Sequence, residues 1–514
     1  MTPSQPCVFV VAGAFMARLL TPIAQRLRQR DGIGTVLLAL REEKLPNSQR
    51  YGFDRGAFDD IVFFDPLLQP RAEPELPSLA ALAEQAAGLE RRLGVNALDL
   101  LRSDRHLGIG FVTTADFHGS PYADAMDYRK SMDVALRLCD FAERLMDAHR
   151  PLCVIGFPGA VHTNAVISVA EATGAPMRTL GAPRRANFFC WAVDRESWPI
   201  DLASHYAEEL RRPAAAAEGE DGGHAAPLRT ELLRKRIAAN ASVRALLRAN
   251  WKQFRGNVGV VLKGRGGLYG NYGILPKMRA VTGQWLARRR ALAEAPVLPR
   301  LPNDLPFIFF PLHMEPEASL MVEARHAPNQ ATAIDWLARA APPGWSVVVK
   351  EHPAQGVPRS RGFLDLLRRY PNLIACGMLE QADEIMARAR AVAIINGTVG
   401  FQAAAAGKPV LSFYERYIPN LLPHVRYVRS FQETWDALRD VREERLPPMA
   451  ERKSASAALA RALARSEFPI ANAQMLAGMP ADTPVDPVEI DTIIDSLTAT
   501  LPPSTARRRA AAGS

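Results

Sequence analysis

The sequence has little of what marks several protein classes. Five cysteines (Cys7, Cys139, Cys153, Cys190, Cys376) stand scattered along 514 residues, never spaced as Cys-x-x-Cys. That argues against a disulfide framework or a thiolate zinc site and makes a reducing cytoplasm the expected compartment. Nowhere do the ~18–20 uninterrupted apolar residues of a membrane span occur. The opening residues, Met1 to Pro6, carry no basic region, and the apolar run from Cys7 to Met16 breaks into Arg18 and a helical pattern. That run reads as a buried strand rather than a signal peptide. Metal-binding signatures are also missing: there is no Asp-x-Asp motif and no paired-histidine spacing.

What is present is the composition of a folded protein, 48% hydrophobic and 23% charged, in a chain too long for one core. Basic residues outnumber acidic ones, 63 to 54, for a net charge of +9. Such a surplus favours anionic partners. It is densest from Arg229 to Arg290, including Arg234-Lys235-Arg236 and Arg288-Arg289-Arg290, and recurs at Arg507-Arg508-Arg509. Solvated helix faces are the plain reading; a peripheral contact with anionic membrane is the functional one. Nucleic acid is not an expected partner, because no aromatic-rich basic reader motif appears.

Two α/β regions can be traced. Cys7 to Val11 reads as a strand, Leu19, Leu20, Ile23, Ala24 and Leu27 form the apolar face of a helix, and Gly34 to Leu40 reads as a second strand. A β–α–β opening of this kind marks a parallel sheet. The theme returns at Leu152 to Gly156, after a largely helical stretch from Ser78 to His149. Pro213 to Gly223 has the composition of a flexible insert, and the glycine-rich Gly264 to Gly273 lacks the ending of a Walker loop, so it reads as a mobile connection. Further strands are expected at Leu305 to Phe310, Ser346 to Val349, Leu373 to Cys376, Ala391 to Ile395 and Val410 to Phe413. The apolar spacing of Val488, Ile490, Ile493, Ile494 and Leu497 suits a last amphipathic helix. The expected division is a Rossmann-like domain over 1–205, a linker and basic helical connector over 206–300, a second Rossmann-like domain over 301–470, and a helix with a disordered tail over 471–514.

Ligands of open parallel sheets gather at the carboxyl ends of strands. Three such ends are unusually polar. Asn396-Gly397-Thr398-Val399-Gly400 is a small-residue turn into a helix, where backbone N–H groups and the helix dipole suit a phosphate, although an ordinary capped helix would look the same. Lys350 and His352 precede Pro353 on an extended chain, where alternation puts both on one side as two cations for a phosphate. His313, Glu315 and Glu317 surround Pro316, and paired carboxylates beside a histidine suit a general base or a cation site, or simply a solvated loop.

Taken in order, Phe-Pro-Leu-His-x-x-Pro-Glu-Ala, Val-Lys-Glu-His-Pro and Asn-Gly-Thr-Val-Gly-Phe-x-Ala, followed by Gly-Lys-Pro-Val, resemble the capsule and surface polysaccharide biosynthesis proteins related to bacterial Kdo transferases. The resemblance is strongest over Phe307 to Tyr414 and looser at Arg102 to Arg105 and at Arg184-Arg185. It implies a GT-B-like α/β fold, two Rossmann-like domains with parallel sheets facing a cleft. It also implies metal-independent glycosyl transfer without a cofactor, from a nucleotide-sugar (CMP-linked in preference to UDP-linked) to a glycan or lipid-linked acceptor. The match assigns His352 and the Asn396-Gly397-Thr398 turn to the donor phosphate. Glu317 becomes the catalytic carboxylate, with Asp104 or Asp116 as alternatives. Glu315 stands where the family pattern has glutamine. An epimerase of the same fold, or a non-catalytic component of polysaccharide assembly, is the competing expectation.

Overall fold

The computed structural model describes residues 7–10, 17–40, 53–104, 113–114, 127–156, 159–181, 188–212, 235, 237–262, 274–294, 297–355, 358–470 and 486–501. The glycine-rich loop at 264–273, the insert at 213–223, the tail beyond 501 and Asp116 lie outside them. The chain divides into two compact units. One draws on Met1–Leu107, Ala125–His205 and Leu463–Ser514; the other on Gly108–Asp124 and Tyr206–Ala462. The chain thus returns to its first unit at the end, and the basic connector belongs to the second.

The first unit holds β1 (Cys7–Val10), β2 (Thr35–Ala39), β3 (Asp60–Phe63), β4 (Val154–Ile155), β5 (Met177–Gly181), β6 (Phe188–Ala192) and β13 (Glu467–Pro469), in the order β13-β6-β5-β4-β1-β2-β3. Five of these strands run parallel through β1, while β6 and β13 add antiparallel at one edge. The apolar face of the Ala17–Asp31 helix (Leu20, Ile23, Ala24, Leu27) shares a core with Ile490, Ile493, Ile494 and Leu497 of the Pro487–Ala499 helix. Each buried leucine or isoleucine among them contributes about 1.5–3 kcal/mol. Asp486 caps the last helix at the Val488 N–H and Pro487 occupies its first turn, which sets its start.

The second unit is built on six parallel strands in the order β12-β11-β10-β7-β8-β9. They are β7 (Phe307–Pro311), β8 (Ser346–Lys350), β9 (Leu373–Cys376), β10 (Ala391–Ile394), β11 (Val410–Ser412) and β12 (Val425–Tyr427). Central β7 is covered on both faces, which is why it reads as an unbroken aromatic run: Phe307, Phe309 and Phe310 are fully buried. The chain steps outward from β7 through β8 to β9, then crosses back to β10 on the other flank. The strand order therefore reverses between β7 and β10, and this reversal opens a crevice at their carboxyl ends. Both sheets are doubly wound in this way, as two Rossmann-like units require. Strands β3, β12 and β13 carry no clear sequence signal; they are short edge strands, whereas β6 is a five-residue apolar run.

Candidate functional site

The carboxyl ends of β7 and β10 meet side chain to backbone. Asn396 N–H donates to His313 Nε2 at 3.2 Å, so the imidazole accepts there and carries its proton on Nδ1. The His313 N–H is in turn held by Gln330 Oε1 at 2.7 Å, from the first residue of the Gln330–Ala340 helix. Asn396 reaches the other way, its Nδ2 donating to Glu323 Oε2 at 2.6 Å. Gly397 has φ 129°, and a Cβ on it would lie 3.2 Å from His313 Cε1, so both conformation and space call for glycine. Its carbonyl accepts from the Tyr417 hydroxyl at 2.7 Å.

The Thr398–Ala405 helix begins at this turn with no side-chain cap. Its first N–H groups and its positive dipole end stay open to an acceptor. Gly400 serves packing: a Cβ there would come within 2.7 Å of both Ile394 Cγ2 and the Tyr417 hydroxyl, so its absence seats the helix against β10. Val399 is half-buried beside it.

His352 and Glu317 are brought within electrostatic reach of one another. Burial pushes the His352 pKa below the ordinary imidazole value, against the opposing pull of Glu317. Its Nδ1 accepts the Ala354 N–H at 3.1 Å, which leaves a neutral ring with its proton on Nε2. Glu317 is partly exposed and accepts the Ser319 hydroxyl at 2.6 Å.

Glu315 is placed differently. It is buried, with Oε1 accepting from Gln330 Nε2 at 3.2 Å and Oε2 from both the Thr113 N–H at 2.9 Å and the Thr113 hydroxyl. Gln355 clamps its backbone, accepting from the N–H at 2.9 Å and donating to the carbonyl at 3.0 Å. Both carboxylate oxygens are engaged, Oε2 in fastening residue 113 to the β7 loop and Oε1 in holding Gln330, so the geometry makes Glu315 a positioning residue rather than a proton carrier.

Arg359, which no sequence motif marks, completes this network. Buried to 4% exposure, it pairs with Glu351 at 2.6 Å and donates to the Thr113 hydroxyl at 2.7 Å and the His313 carbonyl at 2.9 Å. An arginine six residues after Pro353 carries no local signal, and neither does Gln330; each matters because of what the fold brings to it.

Lys350 corrects the alternation argument. Strand β8 ends at Lys350, so His352 is no longer in register with it. The ammonium group turns towards β9, donating to the carbonyls of Glu351 at 3.0 Å and Met378 at 3.3 Å. Burial lowers its pKa to about 8. Two carbonyls thus hold its ammonium towards β9, while its charge still acts on His352.

Asp104, in the first unit, is buried and accepts the Val161 N–H at 3.0 Å, at the start of the Val161–Thr173 helix. There it caps the start of that helix. Among the described residues, no three His, Cys, Asp or Glu side chains gather at metal-ligand spacing, and no helix is long and apolar enough to cross a membrane.

No family pattern and no curated relative matches this sequence. Several solved structures are similar to the chain. The β-Kdo 2,7-transferase KpsC of Thermosulfurimonas dismutans aligns over 58% of this chain and 80% of its own at 15% identity, with a TM-score of 0.27. The UDP-GlcNAc 2-epimerase of Neisseria meningitidis, bound to UDP-GlcNAc, aligns over 96% and 99% at 12% identity, with a TM-score of 0.28. The spinosyn rhamnosyltransferase SpnG, complexed with spinosyn aglycone, aligns over 92% and 99% at 12% identity, with a TM-score of 0.29. The solved structures similar to this chain thus include two sugar transferases and a nucleotide-sugar epimerase, at scores too low to carry any activity across.

Proposed function

We propose that the second unit binds a nucleotide-activated sugar at the β7/β10 crevice and that the protein is a GT-B-type glycosyltransferase of surface polysaccharide biosynthesis. The donor is CMP-linked in preference to UDP-linked, the acceptor is a glycan or lipid-linked glycan, and the reaction uses no metal and no resident cofactor. The observation that carries this reading is the joining of His313 to Asn396 at the reversal of strand order, beside an uncapped helix start. That is where an open parallel sheet binds ligands and where an anionic group is stabilised by free N–H donors and the helix dipole.

Within this reading the chemistry divides between two groups. Glu317 accepts the proton of the acceptor hydroxyl as its oxygen bonds to the anomeric carbon. The bond from that carbon to the nucleotide phosphate breaks, and the phosphate leaves with the electron pair. The His352 Nε2–H and the first N–H groups of the Thr398–Ala405 helix donate to its oxygens. A neutral His352 with its proton on Nε2 keeps one donor for the phosphate oxygens.

The test is a thermal-shift series with CMP, CDP, UDP and UMP, followed by product analysis with the nucleotide-sugar that protects best. At a hundredfold excess over the dissociation constant, a binding nucleotide adds about 2.7 kcal/mol. Protection by CMP with acceptor-dependent product supports the full proposal, whereas UDP protection with donor isomerised in the absence of acceptor replaces it with an epimerase. Protection with no turnover leaves a binding component, and no protection by any nucleotide sinks the reading.

A further inference from the structure

The first helix of the basic connector turns several of its large apolar side chains to solvent. On the Val243–Leu262 helix, the amides Asn250, Gln253 and Asn257 lie among the buried or half-buried positions, beside Ala245, Leu246, Ala249 and Val258. Asn257 is buried, its Nδ2 donating to the Gln253 carbonyl at 2.8 Å and its Oδ1 accepting from Lys277 at 2.8 Å across the neighbouring Ile274–Ala293 helix. The outward face carries the large apolar side chains: Val243, Leu247, Trp251, Phe254 and Leu262 are all exposed, Leu247 to 65%, Trp251 to 60% and Leu262 to 81%. With each residue turned by about 100°, these positions fall within one arc of about 100°. Trp251 and Phe254 stack on each other, with ring centroids 5.7 Å apart.

Charge says what would cover this stripe. Arg244, Arg248, Lys252 and Arg255 run along one flank of it, and the adjoining helix adds Arg279 and the Arg288-Arg289-Arg290 run. Neither helix has a single Asp or Glu. A second copy of the chain seated on the stripe would face cations with cations. An anionic lipid surface complements both features, taking the apolar arc into its acyl boundary and the cations among its headgroups. The hairpin is rooted for such a role, since Ala291 and Leu292 share a small core with Met378 and Leu379 beyond β9, and Trp285 Nε1–H donates to the Ser242 carbonyl at 3.2 Å.

We infer that the Val243–Leu262 helix is a docking surface that lays its Val243-Leu247-Trp251-Phe254-Leu262 stripe into an anionic membrane. The inference does not depend on the sugar chemistry, and nucleotide protection of the same preparation is read separately.

The experiment is co-sedimentation of the full chain with phosphatidylcholine vesicles, with and without phosphatidylglycerol, at low and high salt. Binding is expected to vesicles that contain phosphatidylglycerol and to weaken steeply with salt. Replacing Arg244, Arg248, Lys252 and Arg255 by Gln should weaken it roughly fivefold per charge removed. Leu247→Ser and Trp251→Ser should each weaken it roughly tenfold while leaving the melting temperature unchanged. If a variant fails to fold, the lipid and salt series on the unmodified chain still decides. Equal binding to neutral vesicles, or none to anionic ones, overturns the inference. So does a dimer in light scattering that the Leu247→Ser and Trp251→Ser changes dissociate, which would make the stripe a contact between copies.

Discussion

Two helices occupy matching places in the two units, each following the strand at which the sheet order reverses, β4 in the first and β10 in the second. Their starts differ. The Val161–Thr173 helix is filled by its own chain: Asp104 takes the Val161 N–H, and the Thr163 hydroxyl accepts from Gly159 at 3.3 Å and Ala160 at 3.2 Å. The Thr398–Ala405 helix has no side-chain cap, and around it stand His313, Asn396 and Tyr417. One unit has satisfied its anion-binding end with a buried carboxylate; the other has left it open. Fold alone does not make a site; an unfilled helix start does more.

The largest effect that could break this comparison is at Glu317. Glu317→Gln is expected to lower transfer by about 10²–10⁴-fold while nucleotide protection persists, measured as initial rate beside a thermal-shift titration. Normal transfer by this variant would remove the open end from the chemistry.

A second test asks whether Lys350 serves the open end; its two carbonyl partners predict that it does not. Below pH 8 its ammonium is protonated in the folded and the unfolded chain alike. Between its folded value of about 8 and its ordinary 10.5, the unfolded chain holds a proton that the folded one has released, so stability rises with pH across that window. The rise amounts to about 3 kcal/mol. Lys350→Met is expected to abolish it in urea titrations at either end of the window and to leave nucleotide protection intact.

The next effect is at Gly400. Gly400→Ala drives a methyl into Ile394 and the Tyr417 hydroxyl and should cost about 1–3 kcal/mol, with weaker nucleotide protection because the helix start shifts from the crevice. A melting curve with and without nucleotide separates the two consequences.

The smallest effect belongs to the filled end. Asp104→Ala leaves the Val161 N–H buried without its acceptor, at about 1–3 kcal/mol, seen as faster amide exchange at the start of that helix. Nucleotide protection should not change; a loss of it would place the donor in the first unit.

Much of this was legible beforehand, and for local reasons. Strands such as Phe307–Pro311 and Ser346–Lys350 announce themselves as β-branched or aromatic runs because both of their faces are buried. The Ile490-Ile493-Ile494-Leu497 spacing marks a helix because one face must meet a core. The turn at Asn396-Gly397-Thr398 could be placed at a strand end because glycine is what a close approach permits. The direction of Lys350 could not be read, since strand alternation stops where the strand does. Nor could the work of Glu315, whose partners Thr113, Gln330 and Gln355 are distant in sequence and meet it only in the folded unit.

Sequence alone therefore determined most of the segments that become strands and helices, short edge strands excepted, through side-chain periodicity and the conformational freedom of glycine. It also determined that β7, β8 and β10 end in polar turns. Tertiary structure decided that β10 returns to lie against β7, that one carboxylate is consumed as a fastening while Glu317 stays available, and that an arginine without a motif holds the site together. The reason is physical: periodicity is a property of neighbours along the chain, whereas burial, hydrogen-bond satisfaction and the displacement of a pKa depend on groups that only folding brings within a few ångströms.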